Sequence, residues 1–250
     1  MQRVLDSGRL RGSTVLPIRG AGLVLERGGR RILDGIDIEV DGRGTLALMG
    51  PNGSGKSLLA RTLAGLVAPS AGRVTWAGSA PDRRRATRIG FVFQRPVLLR
   101  RSALANVEYA LAAAGVSRRE RAEQARAALA RARLGHLARA PARVLSGGEQ
   151  QLLSIARALA TAPDILVIDE PTANLDPSAT RAIEGLIGEV RAEGMGVVLI
   201  THDPGQARRL ADEVAFLYRG RIVERTQAAR FLERPQSAQA QAFLRGEIVV

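Results

Sequence analysis

The chain contains no cysteine, which excludes disulfide staples and thiolate metal sites throughout its 250 residues. Aromatic residues make up only 3%, too few for the stacking platforms with which proteins grip single-stranded nucleic acid. No apolar run approaches the roughly 18 residues needed to span a bilayer, so association with a membrane is expected to pass through a partner. The opening residues, MQRVLDSGRLRGSTVLP, lack the apolar stretch of a secretory leader, and residues 1–15 are expected to be loose. Lysine is nearly missing as well: of 37 Lys-plus-Arg residues, one, Lys56, is a lysine. The formal net charge of +13 reads first as a coding bias toward arginine, with nucleic acid or an anionic membrane leaflet as the functional alternatives. No RNA- or DNA-reading motif accompanies the charge, so nucleic acid is not an expected partner. In a chain that uses arginine everywhere else, the single lysine marks a place where a compact ammonium is needed and a planar guanidinium fits poorly.

What is present is a regular layout. Alternating apolar runs at 16–25 and 36–40, parted by Arg27-Gly-Gly-Arg30, predict antiparallel strands. Residues 44–49 predict a buried strand entering a glycine-rich loop, then a helix from Lys56 to about Val67, stopped at Pro69-Ser-Ala-Gly72. Further strands are predicted at 73–78 and 88–93. Between 97 and 145 the pattern changes to Ala, Arg and Leu at helical spacing, with Ser117-Arg-Arg-Glu120 as a capping box opening a helix towards Leu134. Alternation of strand and helix resumes at 165–169, 178–192, 196–201, 204–211 and 213–218. That order argues for an α/β fold with a parallel sheet and helices on its faces.

The chemistry-bearing residues fall at the joints of this layout. Gly50-Pro51-Asn52-Gly53-Ser54-Gly55-Lys56-Ser57 matches G-x-x-x-x-G-K-[ST] at every fixed position. Its glycines free backbone N–H groups to converge on phosphate oxygens, and the following helix points its positive end at the same place. Asp169 and Glu170 close an apolar run, where side chains reach the crevice at the carboxyl edge of a sheet. Gln94 follows Phe91-Val-Phe93, and His202 follows 197–201 at another predicted strand end. His136, the only other histidine, reads as a surface or core filler. The run Leu145-Ser146-Gly147-Gly148-Glu149-Gln150-Gln151 opens a helix over about 148–161, giving a second anion-binding helix N-terminus in one chain.

Together these motifs resemble those of ATP-binding-cassette (ABC) ATPases, with the run at 145–151 matching the family signature, over roughly residues 16–226. The resemblance implies a phosphate-loop cassette: a parallel core sheet from 16–94 and 146–226, an N-terminal antiparallel β subdomain, an inserted helical subdomain at 95–145, and a C-terminal helical tail at 227–250. It implies ATP and Mg²⁺ as ligands. Residues 50–57 with Leu58 would hold the nucleotide, and Lys56 would reach its phosphates. Ser57, Gln94 and Asp169 would serve the metal, Glu170 would be the general base, and His202 would touch the γ-phosphate. Ser146, Gly147, Gly148 and Asp176 would cap nucleotide held by a second subunit in a head-to-tail dimer. Three positions depart from the family pattern: Arg27 stands where an aromatic usually stacks on adenine, Leu58 replaces a Thr or Ser, and Leu152 replaces an Arg.

The same resemblance implies a peripheral subunit on the cytoplasmic face of the membrane that energises a bacterial importer. Its partners would be a second, identical ATPase subunit, transmembrane permease subunits and a solute-binding protein. Residues 91–111 resemble importer ATPases for tungstate or molybdate, with phosphate and amino-acid importers close behind. An exporter or lipid-extraction ATPase is the first alternative, and a non-transport ABC protein acting on ribosomes or DNA is the second. Pro96-Val-Leu-Leu99 and Tyr109 place apolar side chains in an Arg- and Ala-rich segment. They predict either a docking patch for a membrane partner or the core of the helical block.

Overall fold

The computed structural model describes residues 14–247. Two strands, β1 (Ile18–Arg27) and β2 (Arg30–Val40), form a hairpin whose Gly28-Gly29 turn takes positive φ. Then come β3 (Thr45–Met49), α1 (Lys56–Leu63), β4 (Ala71–Trp76), the short α2 (Arg83–Ala86) and β5 (Ile89–Val92). The helical stretch holds α3 (Ala103–Ala113) and α4 (Arg118–Arg131), followed by two 3₁₀ turns and α5 (Gly147–Ala160). The chain ends through β6 (Ile165–Asp169), α6 (Pro177–Ala192), β7 (Gly196–Ile200), α7 (Pro204–Leu210), β8 (Glu213–Tyr218), β9 (Arg221–Gln227), α8 (Ala228–Glu233) and α9 (Ala238–Leu244).

Two sheets result. The smaller, in the order β2-β1-β4, is antiparallel, as the alternating runs predict. The larger has the order β5-β6-β7-β3-β8-β9. Its first five strands are parallel, and β9 adds an antiparallel edge that the sequence pattern missed because Arg221, Glu224 and Arg225 break its apolar alternation.

The period of two along each central strand divides the interior. Leu46, Leu48, Ile165, Val167, Val198, Ile200, Ala215 and Leu217 face the small sheet and α1 in one core. Leu166, Ile168, Val197 and Leu199 face the other way, into a second core with α3, α4, α5 and α6. Ala47, Met49, Val214 and Phe216 pack on α8 and α9 in a third, where Phe216 meets Phe231 and Phe243 at ring centroids of 5.5 and 5.3 Å. All five residues of β3, β6 and β7 are buried, as strands covered on both faces require.

Some expectations need correction. Residues 1–13 lie outside the described part, but Val15, expected to be loose, is fully buried, and its amide donates to Asp164 Oδ2 at 3.0 Å. Helix α1 stops four residues short of Val67, and α4 ends at Arg131 rather than near Leu134. The Ser117–Glu120 capping box does not form. The Glu120 amide takes Ser117's own carbonyl at 3.1 Å, and the Ser117 hydroxyl donates sideways to the Glu120 carboxylate at 2.7 Å. The patch at 96–99 splits: Leu98 packs against the second core, whereas Val97 and Tyr109 are 63% and 54% exposed. No helix of the described residues is long and apolar enough to cross a membrane.

Candidate functional site

Strand order assembles the site. Reading β5-β6-β7-β3 across the sheet, the carboxyl ends deliver Gln94, then Asp169 and Glu170, then His202, then the loop at 50–57. Motifs far apart in sequence thereby share one edge, the crevice where open parallel sheets bind ligands.

The loop is shaped by backbone that only glycine tolerates. Gly50 has φ 143°, and a Cβ there would come within 2.1 Å of the Leu217 carbonyl oxygen. Gly55, at φ 104°, caps α1, and a Cβ there would meet Ile32 O at 3.0 Å. The hairpin therefore packs directly on the loop. Lys56 is only 5% exposed and bends back so that Nζ donates to the Gly50 and Pro51 carbonyls at 2.8 and 3.0 Å. Burial pushes its pKa below the usual lysine range, opposed by the charges of Glu170 and Asp169. Leu58 is half-buried against the first core.

Beside the loop, Ser57 Oγ donates to Asp169 Oδ1 at 2.8 Å. Asp169 is 1% exposed, and burial raises its carboxyl above the ordinary range, although the Ser57 hydrogen bond and Arg61 pull the other way. Its Oδ2 is buried without a hydrogen bond, and Arg61 Nη2 stands 3.5 Å away, beyond good bonding distance. An orphaned carboxylate oxygen beside a hydroxyl is the donor set a hard divalent cation takes. Ser57 and Asp169 therefore fit Mg²⁺.

Glu170 follows at φ 43°, a left-handed conformation uncommon for a non-glycine residue, while its amide donates to Ile200 O at 2.9 Å. That turn presents the side chain between two partners. Gln94 Nε2 donates to Oε2 at 3.0 Å, and His202 Nδ1 lies 3.1 Å from Oε1. The three side chains come from β5, β6 and β7 and converge on one carboxylate that can orient and deprotonate a water.

Ser146, Gly147 and Gly148 sit elsewhere, at the N-terminus of α5. Ser146 and Glu149 form a full capping box: Glu149 N donates to Ser146 Oγ at 3.4 Å, and Ser146 N donates to Glu149 Oε2 at 2.7 Å. The Ser146 amide and hydroxyl hold the Glu149 carboxyl below its usual range, with a smaller contribution from His136. A Cβ on Gly148 would lie 2.5 Å from Ala179 Cβ, and one on Gly147 would lie 3.3 Å from Leu175. The loop thus rests on the start of α6. Asp176 caps that helix, accepting from the Ser178 hydroxyl at 2.6 Å and from the Ala179 and Ser178 amides at 3.0 and 2.8 Å, and these bonds, the hydroxyl's first, lower its pKa. Arg27 is exposed at the end of β1, paired in register with Arg30. Leu152 is buried in the second core, so an apolar residue suits that position.

Arg61 and Glu149 were not singled out from sequence. Arg61 lies four residues after Ser57 on the same helix, a spacing that places both on one face. Glu149 completes an S-x-x-E pattern within 146–149.

The family model for ABC transporters matches residues 33–173, more than half of the chain. The chain belongs to the ABC transporter family. Its fold is the family's ATPase cassette, and it is an ABC-type ATP hydrolase. It is 37% identical to the phosphate import ATP-binding protein PstB 2 of Natronomonas pharaonis, with 96% of this chain and 91% of that protein aligned. It is 40% identical to the methionine import ATP-binding protein MetN of Nocardia farcinica, over 85% of this chain and 66% of that one. Among solved structures, the ATP-binding cassette MJ0796, a dimer in a post-hydrolysis state bound to ADP and Pi, superposes with a TM-score of 0.76. That match has 30% identity and covers 84% of this chain and 98% of that chain.

Proposed function

We propose that this chain hydrolyses ATP with Glu170 as general base and so energises a membrane importer. The convergence of Gln94 and His202 on the two oxygens of Glu170, beside a phosphate loop, carries the reading. Loop amides at 50–57 and the Lys56 ammonium hold the β- and γ-phosphates, Lys56 leaving the loop carbonyls it occupies here. Ser57 and Asp169 would hold Mg²⁺, which would neutralise phosphate charge. Gln94 and His202 fix the Glu170 carboxylate so that it takes a proton from water as that water attacks the γ-phosphorus, and the γ-phosphoryl group leaves ADP. Because the loop at 146–148 packs on α6 as a separate anion-binding terminus, it caps ATP on a second copy, with Asn174–Asp176 at the join.

Glu170→Gln is expected to keep ATP affinity while turnover falls by roughly 10²–10⁴. Turnover near wild type would remove Glu170 from the role of base.

The importer acts with permease subunits and a solute-binding protein, and the cassette sits on the cytoplasmic face of the membrane. The solute is a small one, with an inorganic oxyanion such as phosphate, tungstate or molybdate favoured. Similarity to a phosphate importer's ATPase over nearly the whole chain supports that choice. An amino acid is the competing outcome, supported by the methionine import relative. Reconstitution with the permease and binding protein tests it: ATPase stimulated by oxyanions supports the choice, and stimulation by amino acids alone overturns it.

A further inference from the structure

Helix α5 carries the signature loop at its first turn, and two of its later side chains reach back to the main chain on either side of Gln94. Gln151, 2% exposed, donates through Nε2 to the Phe93 carbonyl at 3.4 Å. Arg157 donates through Nη1 to the Val97 carbonyl at 2.7 Å. Arg157 is half-buried, which presses its pKa downward, and it has no carboxylate partner among the described residues. A half-buried guanidinium without a counter-ion is a costly way to fill space. Here it makes a charge-assisted bond to one specific carbonyl. Downstream, buried Asn106 fixes the next stretch to α3, accepting from the Leu99 amide at 2.8 Å and donating to the Leu99 and Ser102 carbonyls at 3.2 and 3.0 Å. Gln94, whose amide holds Glu170, is thus strung on a short span bracketed by α5.

We propose that Gln151 and Arg157 are positioning residues that make the signature loop and the Gln94 segment one mechanical unit. A shift of α5 when its loop engages the second subunit's nucleotide then sets the contact between Gln94 and Glu170. This rests on the cassette reading, in which the loop at 146–148 meets nucleotide held by the other copy. Arg157 acts through the Val97 carbonyl and touches no substrate.

The test uses the full chain with ATP and Mg²⁺ in a Glu170→Gln background, which retains nucleotide. Amide hydrogen exchange is followed at 94–99 and at 146–150. In the parent both segments gain protection together. In Arg157→Gln, 146–150 gains protection and 94–99 does not, while Arg157→Lys, which still reaches one carbonyl, restores the joint response. In the otherwise wild-type chain, Arg157→Gln lowers kcat by about 10- to 100-fold, the scale of a reacting group misplaced by an ångström. Its ATP affinity stays within about twofold, because the phosphate loop is untouched. Gln151→Leu gives the same split, and the double variant is no worse than Arg157→Gln alone. Joint protection in Arg157→Gln, or equal losses in the Gln and Lys variants, overturns the proposal. If the parent gains no protection at 146–150 with ATP, the cassette reading falls and this inference with it.

Discussion

At the scale of single residues, the site is an arrangement of unsatisfied groups. Lys56 spends its donors on its own loop's carbonyls, and Asp169 keeps one buried oxygen bare. Both are poor solutions for a folded chain alone and good ones for binding polyphosphate and a cation. Lys56→Arg is expected not to substitute for lysine: the fork of a guanidinium does not fit a buried pocket built around two carbonyls. Fluorescent-nucleotide titration should show affinity reduced about tenfold or more, equivalent to at least 1.4 kcal/mol, and near-normal ATPase in this variant would contradict the reading of the lone lysine. Asp169→Asn should do the opposite to stability. Removing a desolvated charge whose Oδ2 has no hydrogen bond is expected to raise the Tm of the nucleotide-free chain by roughly 2–4 °C, about 1 kcal/mol, while Mg²⁺-dependent ATP binding is lost. Thermal melts with and without MgATP check both halves.

At the scale of elements, most of the fold was legible because the signals were local. The phosphate loop needs glycines at positive φ, and continuous apolar runs betrayed the central strands. The errors came where an identical local signal had two outcomes. Ser117-x-x-Glu120 and Ser146-x-x-Glu149 read alike, yet only the second is a capping box. At Ser117 the N3 amide found a tighter 3₁₀ bond to the backbone, a choice the sequence does not encode in its side chains. The last elements were hidden for a different reason. Glu224, on charged β9, is 8% exposed and accepts from the Gln236 and Ser237 amides at 2.9 Å and from the Ser237 hydroxyl at 2.9 Å. A charge that reads as surface thus clamps the start of α9 to the sheet. Glu224→Ala is expected to cost about 2–3 kcal/mol, since bonds to a charged group are the stronger kind. It should also open the tail to protease beyond β9 before the rest of the chain unfolds. Limited proteolysis with mass analysis would show it, and a tail as resistant as wild type would refute the clamp.

At the scale of the whole molecule, chemistry collected on one sheet edge has to be connected to a membrane partner, and the helical block offers the surface. Two apolar side chains of the same Arg- and Ala-rich segment have opposite fates there. Leu98 turns into the second core, whereas Tyr109 stands out from α3, a short way along the chain from the Gln94 segment, and Val97 is exposed beside it in sequence. Exposed apolar residues in a segment otherwise rich in arginine need a cover more than solitary ones do. The two therefore report on different properties. Leu98→Glu is expected to lower Tm and ATPase together, because a carboxylate is forced against the apolar second core. Tyr109→Glu should leave Tm and the ATPase of the isolated chain within error of wild type, because the side chain already faces water. With permease subunits co-expressed, that same variant should fail to co-purify with them and should lose stimulated turnover. Normal assembly by a folded Tyr109→Glu chain would move the membrane contact away from α3. Equal loss of Tm in both variants would mean that Tyr109 belongs to the core after all.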